Sequence, residues 1–259
     1  MVLVIVFLSI FGPFFAPNDP DEFVGDAFAT PYEGFPFGLD SYGRDSVSRF
    51  LCGGRYALMI AILGYILGAL TGLFLALFSV YSRGKIDSVA TWLSEVLIGF
   101  PALVLMLLFV AALGPSFWVL VLAISLVNLP RVFRLVRSAA QVARESSYVE
   151  VAESRGEGKF FIMFREICPS AMPPFLVDAG IRIPGSLLLV SSLSFLGLGI
   201  QPPTADWGLI ISENRLALTI NPLSVFLPIL SLATLMIGIN LALDGLQENR
   251  QKTIQSGIK

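Results

Sequence analysis

From Tyr56 to Ser82 the chain runs without a single Asp, Glu, Lys or Arg. A soluble helix needs a polar face, whereas a bilayer core of about 30 Å calls for about 20 consecutive apolar helical residues. Val96 to Pro130 is equally free of charge and too long for one crossing, and Gly114-Pro115 supplies the turn that divides it. Leu216 to Leu243 is another such stretch, and Met1 to Ala16 reads as a shorter one with Pro13 near its outer end. Phe175 to Leu198 completes the set, although it contains Asp178 and Arg182 and is interrupted by Pro184-Gly185. The expected fold is an all-α, polytopic membrane protein with six transmembrane helices. Composition agrees, with 55% hydrophobic and 14% charged residues and a mean hydropathy of +0.79.

The first stretch has neither a basic leader nor a small-x-small cleavage site. It reads as an anchor span, whose upstream cytosolic residues are missing or very short, rather than as a signal peptide.

Several function classes are excluded early. A net charge of −2 provides no general basic field for nucleic acid. Histidine is absent, and Cys52 and Cys168 stand far apart. No metal site, no imidazole-assisted nucleophile and no disulfide framework follow from such a set. The two cysteines read as small apolar residues.

With six spans both termini share one side, and the basic residues assign it. Arg83, Lys85, Arg131, Arg134, Arg137, Arg144, Arg155, Lys159, Arg165, Arg250, Lys252 and Lys259 make twelve on one side. Arg44, Arg49, Arg55 and Arg215 make four on the other. The positive-inside rule places both termini and the long 131–172 loop in the cytosol, with 17–55 and 199–222 outside. The resulting organisation is a first span over 1–16, an external segment over 17–53, a five-helix transmembrane domain over 54–245 and a cytosolic tail over 246–259.

The loop between the fourth and fifth spans, about 40 residues, is too polar to enter the bilayer, and long loops in compact proteins usually have work to do. Its sequence, ARESSYVEVAESRGEGKFFIMFREICPSAMPP, breaks at Gly156 and Gly158, runs amphipathically from Phe160 to Ile167 and stops at Pro169. That pattern predicts helix, turn, helix. It suits both a plug for a groove in a soluble partner and a helix lying on lipid headgroups.

Three ionisable groups fall within or beside spans. Asp178 and Arg182, four apart, share a helix face and read either as a structural salt bridge or as part of a pathway. Glu95, just before Gly99-Phe100-Pro101, is a pathway candidate or the partner of a loop arginine. Gly64, Gly68 and Gly72 form a small-residue stripe along the second span, which predicts close helix packing and says little about transport.

Glu150-Val151-Ala152, Gly156 and Pro169 resemble the EAA motif of ATP-binding-cassette importer permeases. Three further elements are similar to the subfamily that imports dipeptides, oligopeptides and nickel. These are Gly38-Leu39-Asp40 with Gly43-Arg44-Asp45, the run Ser192 to Gly199, and Gln201-Pro202-Pro203 with Trp207-Gly208. The resemblance covers about Asn18 to Gly245. Three positions depart from it: Val151 stands where Ala is usual, Cys168 where Leu is usual, and Val190 where Glu is frequent.

The resemblance implies a subunit that is no enzyme itself and holds no cofactor. It implies a second permease subunit, cytosolic ATPase subunits that hydrolyse ATP, and an external substrate-binding protein, all at the plasma membrane of a bacterium or archaeon. Within a coupling loop over 140–171 it assigns Glu150 to a polar contact with the ATPase, Ala152 to close packing, Gly156 to the turn and Pro169 to the motif's end. A stand-alone secondary transporter or channel is the alternative, without reason to carry such a loop. A membrane-embedded protease lacks both histidine and a pair of intramembrane aspartates, only Asp178 and the boundary residue Asp244 being on offer.

Overall fold

The computed structural model describes residues 2–82 and 84–256, so that Arg83 and Lys259 of the basic count lie outside the described residues. The regular structure among them is helical, with only isolated β-bridges in the 23–45 segment. The chain is therefore all-α, as its composition requires.

Helix α1 (Val2–Phe11) leads through a short 3-10 turn into the 17–45 segment, which folds over the start of α2 (Ser46–Ser82). Helix α2 begins well before the charge-free stretch because Asp45 caps it. Its carboxylate accepts the backbone N–H groups of Val47 at 3.1 Å and Ser48 at 3.3 Å, satisfying donors that a helix start leaves orphaned.

The expected third span is broken. Helices α3 (Gly84–Gly99) and α4 (Ala102–Leu113) meet at 95° across Phe100-Pro101. Pro101 has no N–H to give and disfavours helical geometry in the residue before it, so the helix ends there. At 12 residues α4 is about 18 Å long, short of a bilayer core on its own.

Helix α5 (Phe117–Arg144) does not end at Pro130, as the apolar run suggested, but continues through it to Arg144. Val132, Phe133, Val136, Ala140 and Ala143 are buried along one face while Arg131, Arg134 and Arg137 decorate another, so amphipathic packing carries the helix past the charge-free limit. The irregular part of the 131–172 loop thereby shrinks to a few residues on each side of α6 (Ser147–Ser154).

Two proline expectations are overturned. A short helix, α7 (Lys159–Phe161), passes through a π-helical turn over Ile162–Ile167 directly into α8 (Cys168–Phe195), so Pro169 does not stop the second loop helix. In the π turn Cys168 donates to the Met163 carbonyl five residues back, and this wider spacing accommodates a residue with no N–H. Nor does Pro184-Gly185 interrupt α8, which runs unbroken through Pro173, Pro174 and Pro184. Helix α9 (Trp207–Glu213) and a 3-10 turn (Arg215–Thr219) precede α10 (Leu223–Ser256), so the last long helix starts at Leu223 and not at Leu216.

Among the described residues three helices, Ser46–Ser82, Phe117–Arg144 and Lys159–Phe195, are long and apolar enough to cross a membrane, and the bent α3–α4 pair passes the same test when taken as one span. Val4–Phe14 and Leu223–Ile239 are shorter apolar helices. The core lies in two clusters strung along α2, α5 and α8. One gathers Ile60, Met106, Ile124, Leu193 and Trp207 at the end that carries α9. The other gathers Leu77, Phe133, Val149, Ala152, Ile162 and Ile167 at the end that carries α6.

Candidate functional site

Helix α6 hangs below the end of α5, beyond Glu145 and Ser146, and is only two turns long. Val149 and Ala152, three apart and so on one face, are 1% and 5% exposed and belong to the second core cluster. Glu150, Val151, Ser154 and Arg155 are exposed on the opposite side. Ala152 packs against its own chain. Val151, in the place where Ala is usual, stands on the free face.

The helix is closed by a Schellman arrangement. Gly156 adopts φ +76 and donates to the Glu153 carbonyl at 3.0 Å, and Glu157 donates to the Ala152 carbonyl at 3.2 Å. A side chain at Gly156 would point into open space, so the glycine is required by the left-handed backbone and not by crowding. Pro169 sits at the start of α8, and beside it Ser170 and the Tyr148 hydroxyl lie 3.2 Å apart, joining α6 to α8.

On the other side of α6, Arg144 of α5 donates from Nη2 to Glu153 Oε1 at 3.0 Å, and its guanidinium carbon lies 4.5 Å from the Tyr81 ring centroid at the end of α2. Two turns earlier on α5, Arg137 grips Asp87 of α3 with two hydrogen bonds of 2.7 and 2.6 Å, and the Ser79 hydroxyl of α2 donates to the same carboxylate. The α6 end of the bundle is thus cross-tied by charge-assisted bonds among α2, α3, α5 and α6.

The other sequence candidates lie apart from this group. Arg182 Nε donates to both carboxylate oxygens of Asp178, at 2.7 and 2.6 Å, so the pair does meet, within α8. Glu95 is exposed on α3 and has no ion-pair partner within 4.0 Å among the described residues. No group of three or more His, Cys, Asp or Glu side chains among the described residues is placed to hold a metal ion.

The sequence profile of the binding-protein-dependent transport system inner membrane component matches residues 64–255, which include α6 and its cross-ties to α5. The chain belongs to that family. This permease is 34% identical over 254 residues to the di/tripeptide transport system permease protein DppC of Pseudomonas aeruginosa, covering 95% of this chain and 84% of that protein. It is 32% identical over 257 residues to the glutathione transport system permease protein GsiD of Pectobacterium atrosepticum, covering 98% and 85%. Among solved structures it resembles an amino acid ABC transporter crystallised with histidines, with a TM-score of 0.55 and 25% identity over 76% of this chain and 90% of that one. The permease is the inner-membrane component of a binding-protein-dependent ABC transport system, and the stand-alone transporter reading falls away.

At the opposite end of the permease lies a site whose chemistry was missed in the sequence. Arg44 and Arg49, with side chains 6% and 1% exposed, meet Asp40 and Glu213 in a buried square of opposite charges. Arg44 contacts Asp40 at 2.8 Å and Glu213 at 2.9 Å, while Arg49 contacts each of those acids at 3.3 Å and Asp21 at 3.2 Å. This network stitches the 17–45 segment and α2 to α9. The Gly43 turn beside it, at φ +73, passes so close to the Gly25 carbonyl that a Cβ would lie 2.0 Å from it. Asp40, Gly43 and Arg44 were visible as a motif, but neither Arg49 nor Glu213 carried any signal of pairing. Close by, Asp206 is fully buried and caps α9 by accepting from Leu209 N–H at 3.1 Å. Burial pushes its carboxyl up to about 6, against the opposing pull of that hydrogen bond.

Proposed function

We propose that this permease forms, with a second permease subunit, the membrane pathway of an ATP-driven importer, and that α6 seats a cytosolic ATPase subunit that hydrolyses the ATP. An external binding protein delivers the cargo. A peptide-class solute is the cargo favoured by the relatives, which are named for di- and tripeptides and for glutathione. Six spans, made by α1, α2, the bent α3–α4 pair, α5, α8 and α10, put both termini in the cytosol of a bacterial or archaeal cell. The excess of basic residues around α6 supports that orientation.

One observation carries the reading. Helix α6 buries Val149 and Ala152 into its own chain while leaving Glu150, Val151, Ser154 and Arg155 uncovered, closed by a left-handed turn at Gly156. A helix anchored from behind with a free polar front is a shape a groove can take hold of. Glu150 offers the charge for the partner to read, and Gly156 fixes where the helix ends. The permease's own work is conformational: ATP-driven closure of the partner favours one arrangement of packed helices over another through contacts that differ between the two.

The test is purification of the tagged permease from its native membrane in mild detergent, with mass-spectrometric identification of what stays bound, beside a Gly156→Arg variant. An ATPase and a second permease should accompany the wild-type chain, and the ATPase should be lost from the variant. Recovery of the wild-type chain with no ATPase would refute the assignment.

A further inference from the structure

We infer that Arg144 is the positioning residue that couples α6 rigidly to the membrane bundle, by holding Glu153 of α6 and the Tyr81 ring of α2 with one guanidinium at the end of α5. The inference rests on the reading of α6 as the ATPase seat and deepens it.

A helix of eight residues has no stability of its own, so its orientation is set by what it touches. Its apolar anchors, Val149 and Ala152, hold it against the core without direction, and a helix so held can roll or slide along its buried face. Directional contacts must fix its angle. Tyr148 with Ser170 ties its first turn to α8, and Arg144 with Glu153 ties its last turn to α5. Only the second is charge-assisted.

Arg144 is placed to pass force onward. Its side chain is 11% exposed, and among the described residues Nε and Nη1 have no hydrogen-bond partner, so the Glu153 bond and the Tyr81 stack hold the guanidinium. Arg137 and Gln141 precede it at helical spacing on the same side of α5, and Arg137 clamps α3 through Asp87. A recess of about 280 Å³ bordered by Val80, Asp87, Gln141, Arg144 and Glu145 lies between these ties. A push on α6 therefore reaches the ends of α5 and α2 together, with α3 held alongside. Glu153 is 42% exposed, so the pair adds little to stability, and cutting it should leave the permease folded.

The experiment uses the whole importer, purified with its ATPase and reconstituted in lipid nanodiscs. Amide exchange in the 17–45 and 199–222 segments is compared with and without ATP plus vanadate. Arg144→Gln and Glu153→Ala, the latter leaving no acceptor for the guanidinium, should each retain the ATPase and the wild-type thermal midpoint yet lose the ATP-driven change in exchange. The double variant should be no worse than either single one, since the two groups act as a unit. Arg144→Lys, whose ammonium can bond Glu153 and sit as a cation over the Tyr81 ring, should retain the change.

An ATP-driven change in both single variants equal to wild type overturns the inference. So does a fall in thermal midpoint that accounts for the loss, or a wild-type importer that binds ATPase and shows no such change. Absence of ATPase from the wild-type preparation overturns instead the reading of α6 on which the inference stands.

Discussion

A carboxylate shut away from water titrates late, and Asp206 is the clearest such residue in the permease. With its carboxyl pushed up to about 6, the folded state binds a proton that an unfolded chain, with an aspartate near 3.9, releases earlier. The native form thus holds more protons between about pH 4 and about pH 6. The protonated group's contribution is fully present below that window and is lost as pH rises through it. The thermal midpoint of the detergent-purified permease should therefore contain a component that falls from pH 4 to pH 6 and then levels. Asp206→Asn keeps an acceptor for Leu209 N–H and should flatten that component. Identical pH profiles for the two proteins would show that Asp206 does not carry it. Gly156 makes the companion case, since a Cβ there meets nothing and only the φ of +76 resists it. Gly156→Ala should cost about 1–2 kcal/mol, measurable as a modest drop in thermal midpoint, and should retain more ATPase than Gly156→Arg.

Between elements, α2 and α5 pack backbone against backbone along the glycine stripe. At Gly68 a Cβ would lie 2.5 Å from the Ser125 carbonyl oxygen, and at Gly72 it would lie 2.7 Å from that of Leu129. Backbone cannot swing aside as a side chain can, so the helices would have to part. Gly68→Ala should lower stability by about 1–3 kcal/mol despite alanine's better helix propensity. Gly185, inside α8 with nothing within 4 Å of its would-be Cβ, is the control. There Gly185→Ala should raise stability by about 0.5–1 kcal/mol. Thermal unfolding of the two variants decides the matter, and equal shifts would mean that the stripe does not set the helix distance.

Across the whole molecule, α2, α5 and α8 join two cores, with a charged knot at each end. The knot at the α9 end is balanced as Arg44 and Arg49 against Asp40 and Glu213, with the more exposed Asp21 at its margin. Removing one buried charge strands another. Glu213→Gln should cost about 3–5 kcal/mol and open the 17–45 segment to protease while the α6 end stays protected. Limited proteolysis with mass mapping tests this, and uniform resistance would show that the network is dispensable.

The chain's own order of residues was enough to dictate a helical membrane protein, because charge-free runs of bilayer length have no other stable destination. It also marked α6, whose motif residues Glu150, Ala152 and Gly156 lie close together in sequence and needed only one turn to close. The tertiary structure decided the rest. Proline was a poor guide to helix ends: Pro101 breaks its helix, whereas Pro130 and Pro184 lie inside helices and Pro169 follows a π turn. Neighbouring backbone geometry and packing make that difference. Arg144 with Glu153, Arg137 with Asp87, and Arg49 with Glu213 looked like scattered charges. Their partners are long side chains brought together from different helices, and pairing of that kind leaves no period or spacing in the sequence to read.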